Sequence, residues 1–308
     1  MRVAIVHSKV KLQAKRANLR RIHAMLTTLI EDERANIDAV VTPPYPLTGP
    51  IAGYLPSGRS TKAVKNLAER ITLAGSSIGH GVSQLVRFSE EYGIHLIAGP
   101  IIERAGPRLY MTVVHISPRG MIEAKYRKIS LSKAEIEAGI SPGKDLTVFN
   151  IGKGRIGVFV EDDLGLPEMF RYYQMYNVNL IVGYMLPYQS RYFRQDTLDG
   201  NVLTMELGSV KSFLTVRSIE TGIPVVLVGG GVEGNHGNQG GLVAFMHTIP
   251  TDPEYGVAES RIKDADDLDN SPRMIIDLDV NASRPRRLEN PDVAFRVLRE
   301  MSKMGFRF

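Results

Sequence analysis

The sequence predicts an α/β fold, and three observations carry that prediction. Short β-branched runs alternate with longer segments of helical periodicity along most of the 308 residues. Two of the runs, RVAIV and IGVFV, are almost continuously apolar, as strands covered on both faces must be. No Gly/Ser-rich linker divides the chain, so one domain is expected over residues 1–280, followed by a basic tail over 281–308. Such alternation requires sheets with helices packed on them.

In order along the chain, strands are expected at 2–6, 39–42, 95–99 and 110–117. A second set follows at 155–160, 178–182, 223–228, 242–246 and 274–278. Helical patterns lie between them at 13–32, 63–73, 82–92, 167–176 and 201–221. Each set runs strand–helix–strand–helix–strand–strand, as if one topological half were used twice without an internal sequence repeat. The glycine-rich piece 229–241 reads as a flexible loop between two strands, because it has neither the GxGxxG spacing nor the Walker lysine of a phosphate loop.

Composition narrows the functional classes. Hydrophobic residues make up 43% and charged residues 23%, which excludes disorder, collagen and coiled coil for the whole chain. No apolar run approaches the ~20 residues of a membrane helix. The N-terminus reads as a first strand rather than a signal peptide, so a cytoplasmic protein with no membrane partner is expected. The chain has 0 cysteines, which removes disulfides, thiolate metal sites and any cysteine nucleophile. That usage also suits a thermophilic source. The net charge of +5 is a modest excess, unevenly spread. Residues 1–30 hold seven basic side chains and no acid, 251–280 hold nine acids against three bases, and 281–308 hold seven bases against three acids. The tail either pairs with the acidic stretch, in this chain or a neighbouring subunit, or is solvated surface.

Several segments carry chemistry-bearing residues. In AVVTPPYPLTG (39–49) a strand runs into a proline-rich turn, either a rigid turn or the wall of a site. In AKYRKISLS (124–132) Lys128 sits between apolar neighbours, as a surface lysine or as a group stabilising an oxyanion. In GRIGVFVEDDLGLPEMFR (154–171) a buried strand runs straight into Glu161, Asp162 and Asp163 and then a helix, an elbow suited to presenting one side chain. Three adjacent acids suggest a hard cation, but successive side chains diverge, so they cannot all reach one ion. The histidines, His236 included, show no metal-ligand spacing. No cofactor and no metal are expected. Lys15, Arg16, Arg20 and Arg21 form a basic stripe on the first helix, either a solvated face or a contact for phosphates, without interleaved aromatics to stack bases.

Taken in order, these segments resemble the nitrilase (carbon–nitrogen hydrolase) superfamily over roughly residues 1–300. The landmarks are RVAIV leading into a helix with Asn18, then AVVTPPYPLTG, GIHLIAGP, YMTVVHISPRGMIEAKYRKISL, SPGKDLTVF, RIGVFVEDDLGLPE, RSIETGIPVVLV, IPTDPEYG and IIDLDV. The resemblance implies a four-layer αββα sandwich. It also implies a cysteine nucleophile, a glutamate base, a lysine stabilising the tetrahedral intermediate and an auxiliary glutamate. The lysine falls on Lys128 and the auxiliary glutamate on Glu137. The base position falls on Pro44 and the nucleophile position on Glu161, with Asp163, Pro167 and Glu168 keeping the register. Met111 stands where many members have Asn.

The family chemistry needs a thiolate activated by a nearby base, and neither is present. The expectation is therefore a degenerate site in which Lys128 and Glu161 pair, since either charge alone is costly in a buried pocket. Three functions follow from this. The first is a catalytically silent binding or assembly module, a homodimer or higher oligomer built on the aromatic helix with Phe170, Tyr172, Tyr173 and Tyr176, serving an unknown protein or small-molecule partner. The competing reading is that some of these aromatics face the core. The second is an amidase- or N-carbamoyl-type enzyme with altered chemistry at Glu161 and Lys128. The third is RNA or nucleoprotein binding through basic surfaces.

Overall fold

A computed structural model describes residues 1–33, 36–73, 78–186, 201–236, 239–254, 256–257, 273–280 and 303. The strands of the first half are β1 (Arg2–Val6), β2 (Lys9–Lys11), β3 (Ala39–Val41), β4 (His95–Ala105), β5 (Arg108–Ile116) and β6 (Ile122–Arg127). Those of the second are β7 (Val148–Asn150), β8 (Arg155–Val160), β9 (Leu180–Tyr184), β10 (Val225–Val228), β11 (Gly230–His236), β12 (Gln239–Met246), β13 (Ile249–Asp252), β14 (Gly256–Val257) and β15 (Arg273–Asp277). The helices are α1 (Lys15–Glu33), α2 (Ser57–Leu67), α3 (His80–Tyr92), α4 (Lys133–Glu137), α5 (Pro167–Met175) and α6 (Asn201–Thr221).

Two six-stranded sheets run in the orders β15-β1-β3-β4-β5-β6 and β14-β13-β10-β9-β8-β7. The parallel pairs β1/β3/β4 and β8/β9/β10 are the crossover halves expected from the alternation. Strand β1 is apolar at nearly every position because both its faces are covered. Val3 and Ile5 join the core between the sheets, whereas Ala4 and Val6 pack under Leu19, Ile22 and Leu26 of α1 and Val82 and Leu85 of α3. On the other side, Phe170 of α5 lies 5.4 Å from Phe159, ring to ring, and Val210 and Leu214 of α6 complete the core. The layers are thus helix, sheet, sheet, helix.

The structure departs from the sequence expectations in four places. The strand expected at 274–278 belongs to the first sheet, where β15 pairs antiparallel with β1 in the register Arg2↔Asp277. The helix expected at 63–73 is Ser57–Leu67, and β4 runs on to Ala105 through a bulge between Ala98 and Ile101. The glycine-rich piece, in its described residues, is no loop. It forms a third sheet, β12-β11-β2, with β11 parallel to β2 and antiparallel to β12. Gly, Asn and His disfavour strands locally, so pairing partners distant in sequence determine this segment. Gly229 enters it where a Cβ would meet the Met246 carbonyl at 2.1 Å, which explains why a glycine stands there. The basic tail 281–308, Lys303 apart, and most of the acidic stretch lie outside the described residues.

A buried carboxylate–lysine cluster as candidate active site

Three segments meet at the C-terminal ends of strands, where α/β folds place their sites. The turn after β3 supplies Pro44 and Tyr45, the end of β6 supplies Lys128, and the end of β8 supplies Glu161. Asn18 of α1 fixes the first segment: its side-chain amide donates to the carbonyls of Lys11 (2.9 Å) and Leu47 (3.0 Å), and its oxygen accepts from Lys11 N–H. Strand β6 alternates its side chains, so Lys125 and Arg127 leave one face while Tyr126 and Lys128 reach toward the second sheet.

The Lys128 ammonium is fully buried and makes three hydrogen bonds. It donates to Glu161 Oε2 at 2.6 Å and to both Glu135 oxygens at 2.8 Å. The expected Lys128–Glu161 pair is present, but the second carboxylate is Glu135, not Glu137. Glu135 is the third residue of α4 and closes a capping box, accepting from Ser132 N–H at 2.7 Å while its own N–H donates to Ser132 Oγ. Glu137, two residues on, points to another side of the helix. It is about half exposed, and its side chain lies 3.9 Å from that of Lys133. The S-x-x-E signature of Ser132 and Glu135 was the signal in the sequence that could have pointed to the glutamate that meets the Lys128 ammonium.

Tyr45 was not singled out in the sequence either. Its hydroxyl donates to Glu161 Oε1 at 2.6 Å, so both Glu161 oxygens are held. Both residues adopt left-handed backbone conformations, with φ of 54° at Tyr45 and 50° at Glu161. Non-glycine residues hold such conformations where the surroundings enforce them. At Glu161 the enforcing group is Asp163. Its buried carboxylate accepts from the N–H groups of Val160, Ile129 and Ser130 and from the Tyr126 hydroxyl, tying the elbow to the end of β6. Pro44 is buried beside this cluster's turn and offers no titratable group.

Two carboxylates surround one ammonium, so the cluster carries a surplus negative charge when all are ionised. Burial raises Glu161 to about 7; Lys128 opposes that rise and the neighbouring Glu135 adds to it. Burial alone would lower Lys128, but Glu161 and Glu135 hold it above an ordinary lysine. Burial also lifts Asp163 to about 6 against the pull of Lys128 and its hydrogen bonds. Burial therefore favours the protonated form of Glu161 at pH values where an exposed glutamate is ionised. Among the described residues, no group of three or more His, Cys, Asp or Glu is placed to hold a metal ion. No described helix is long and apolar enough to cross a membrane.

The aromatic helix is divided between core and surface. Phe170 and Tyr173 are 1% and 0% exposed, built into the chain's own core and unavailable to a partner, because Tyr173 packs on Gly157 and donates to the Val158 carbonyl. Tyr172 is half-buried, and only Tyr176, 48% exposed, stands out. On α1, Lys15 is engaged by Glu69 and Arg21 by Glu233, which leaves Arg16 and Arg20 exposed. The side chain of His236 lies outside the described residues.

Comparison with known proteins agrees with this architecture. Residues 2–268 match the family model described as carbon-nitrogen hydrolase. Curated relatives include the omega-amidase NIT2 of Xenopus tropicalis, 29% identical over 130 residues, 40% of this chain and 45% of the relative. The human omega-amidase NIT2 is 30% identical over 112 residues, 34% and 41% of the two chains. The chain thus matches less than half the length of these relatives. Among solved structures, Nit3 of Saccharomyces cerevisiae, a nitrilase superfamily member, superposes with a TM-score of 0.69 at 19% identity, covering 92% of this chain and 93% of that one. A carbon-nitrogen hydrolase from Helicobacter pylori G27 gives 0.69 at 12% identity, covering 92% and 90%. The order of strands, the two packed sheets and the match over residues 2–268 lead to one conclusion: the chain belongs to the carbon–nitrogen hydrolase family.

Proposed function

We propose that this protein is a catalytically silent member of its family, acting as a binding or assembly module. The observation that carries the reading is Glu161, at the elbow where the family resemblance puts the nucleophile, with both oxygens engaged by Lys128 and Tyr45. A solved amidase of Nesterenkonia is described with a covalent adduct at its active-site cysteine, and this chain has 0 cysteines. A carboxylate is a poor nucleophile toward an amide, and one already bonded to an ammonium and a phenol is poorer still. Pro44 at the base position supplies no proton acceptor. The test is an assay of the purified chain against simple amides, ω-amides, N-carbamoyl compounds and nitriles, with light scattering beside it. The expected result is no hydrolysis above that of a Lys128→Met variant, and a particle heavier than a monomer. A clean monomer at micromolar concentration would remove the assembly role.

One observation favours a second reading. A buried carboxyl raised to about 7 beside a lysine and a tyrosine is also how a general acid–base is tuned. On that reading the chain is a carbon–nitrogen hydrolase using Glu161 and Lys128 in altered chemistry. Hydrolysis that disappears in Glu161→Gln would establish it and overturn the silent reading.

A further inference from the structure

Strand β6 carries a second set of charges on the face opposite Lys128. Glu103 of β4 is fully buried there and receives Arg127 Nε and Nη2 at 2.8 Å each, Lys125 Nζ at 2.6 Å and Thr112 Oγ1 at 2.7 Å. These bonds, with Arg127, Lys125 and Glu103 all tied to a strand, hold the cations in place without a ligand. The Arg127 guanidinium also lies 3.9 Å above the Tyr110 ring. Its Nη1 makes no hydrogen bond among the described residues.

Tyr110, Lys125 and Arg127 line a cavity of about 290 Å³ together with Arg108 and residues of the segment 142–147. Gly143 lets that segment approach: its N–H donates to the Lys128 carbonyl at 2.8 Å, and a Cβ there would fall 2.2 Å from the Arg127 carbonyl. Lys144, next in the chain, lines the cavity together with Arg108. Both are exposed, and neither makes an ion pair among the described residues. Four cations, Arg108, Lys125, Arg127 and Lys144, thus face one lining carboxylate, Asp145, with Glu103 beneath. Two positive charges remain uncompensated in a partly enclosed space, where electrostatic attraction exceeds that on an open surface.

We propose that this cavity binds a dianionic phosphoryl group, as free phosphate or as the phosphate end of a small monoester. A dianion cancels the surplus, and the volume suits a ligand of that size. Arg127 is already oriented by Glu103 and Tyr110, so its own ordering adds little to the cost of binding. The site is independent of the Lys128 cluster, which faces the other side of the sheet.

Isothermal titration of the full chain with inorganic phosphate, glycerol phosphate and acetate, at matched ionic strength, tests the proposal. The expected result is saturable binding of the dianions at one site, with acetate silent. The Arg108→Ala/Lys144→Ala pair should weaken it about tenfold or more, whereas Arg16→Ala/Arg20→Ala, which removes equal charge from α1, should not. Tighter glycerol phosphate binding would assign a monoester, and equal affinity free phosphate. No dianion binding, equal weakening by both pairs, or acetate binding as tightly as phosphate would overturn the proposal. So would mixed-sequence single-stranded RNA as the sole binder, which would make the groove a nucleic-acid contact.

Discussion

Replacing Glu161 with glutamine keeps the side chain's shape and imitates its protonated form, so it isolates the energetic role of the buried proton. In the unfolded chain this carboxyl titrates at the ordinary value of 4.5, and in the folded chain at about 7. Between those values the folded state holds one proton more than the unfolded state. Stability therefore falls as pH rises through this window, by about 1.4 kcal/mol per unit. The full difference is about 3 kcal/mol, reached near pH 7 and constant above it. The variant lacks this contribution. Its stability relative to the parent should rise by about 3 kcal/mol between pH 4.5 and 7.5, a large part of the ~5–15 kcal/mol typical of a domain. Asp163, raised to about 6 from 3.8, adds a fall of the same sign over a lower window, but it acts in both proteins and cancels in the comparison. The assay is urea unfolding of both proteins at half-unit pH steps. A difference that does not change with pH would mean that Glu161 stays ionised throughout the window. The cluster would then be a fully charged triad, and the reasoning from burial would be wrong.

Other outcomes follow from the same geometry. Glu135→Ala leaves Lys128 with one carboxylate and breaks the α4 cap, and should cost about 2–4 kcal/mol; Glu137→Ala, on the exposed side, should stay within about 0.5 kcal/mol in the same unfolding assay. Tyr45→Phe removes the donor to Glu161 Oε1 and should cost about 1–3 kcal/mol. It should also move the window of pH dependence upward, since that hydrogen bond holds Glu161 down. Phe170→Ala, inside the core, should cost about 3–5 kcal/mol by thermal or chemical unfolding. Tyr176→Ser should leave stability nearly unchanged, so a change in its mass by light scattering would report directly on contacts between subunits.

The apolar runs and the helical stretches between them were enough to determine the α/β class, the position of β1, β8 and α6, and the elbow at Glu161, because a strand buried on both faces reads as a continuous apolar run and a helix packed on one face as a 3.6-residue period. The absence of cysteine was legible in the same way, since it depends on composition and not on contacts. What stayed hidden depends on contacts between distant residues. Strand β15 joins the first sheet only through its register with β1, and the glycine-rich hairpin is a strand pair only because β2 and β12 supply hydrogen bonds that its own residues do not favour. Phe170 and Tyr176 look alike in sequence, and the direction of each Cβ on α5 decides that one fills the core while the other meets solvent. The cluster shows the same division. Lys128 and Glu161 were legible from motif order, whereas Glu135 rather than Glu137 reaches the ammonium because α4 starts at its Ser132 cap, and that start sets which glutamate faces inward.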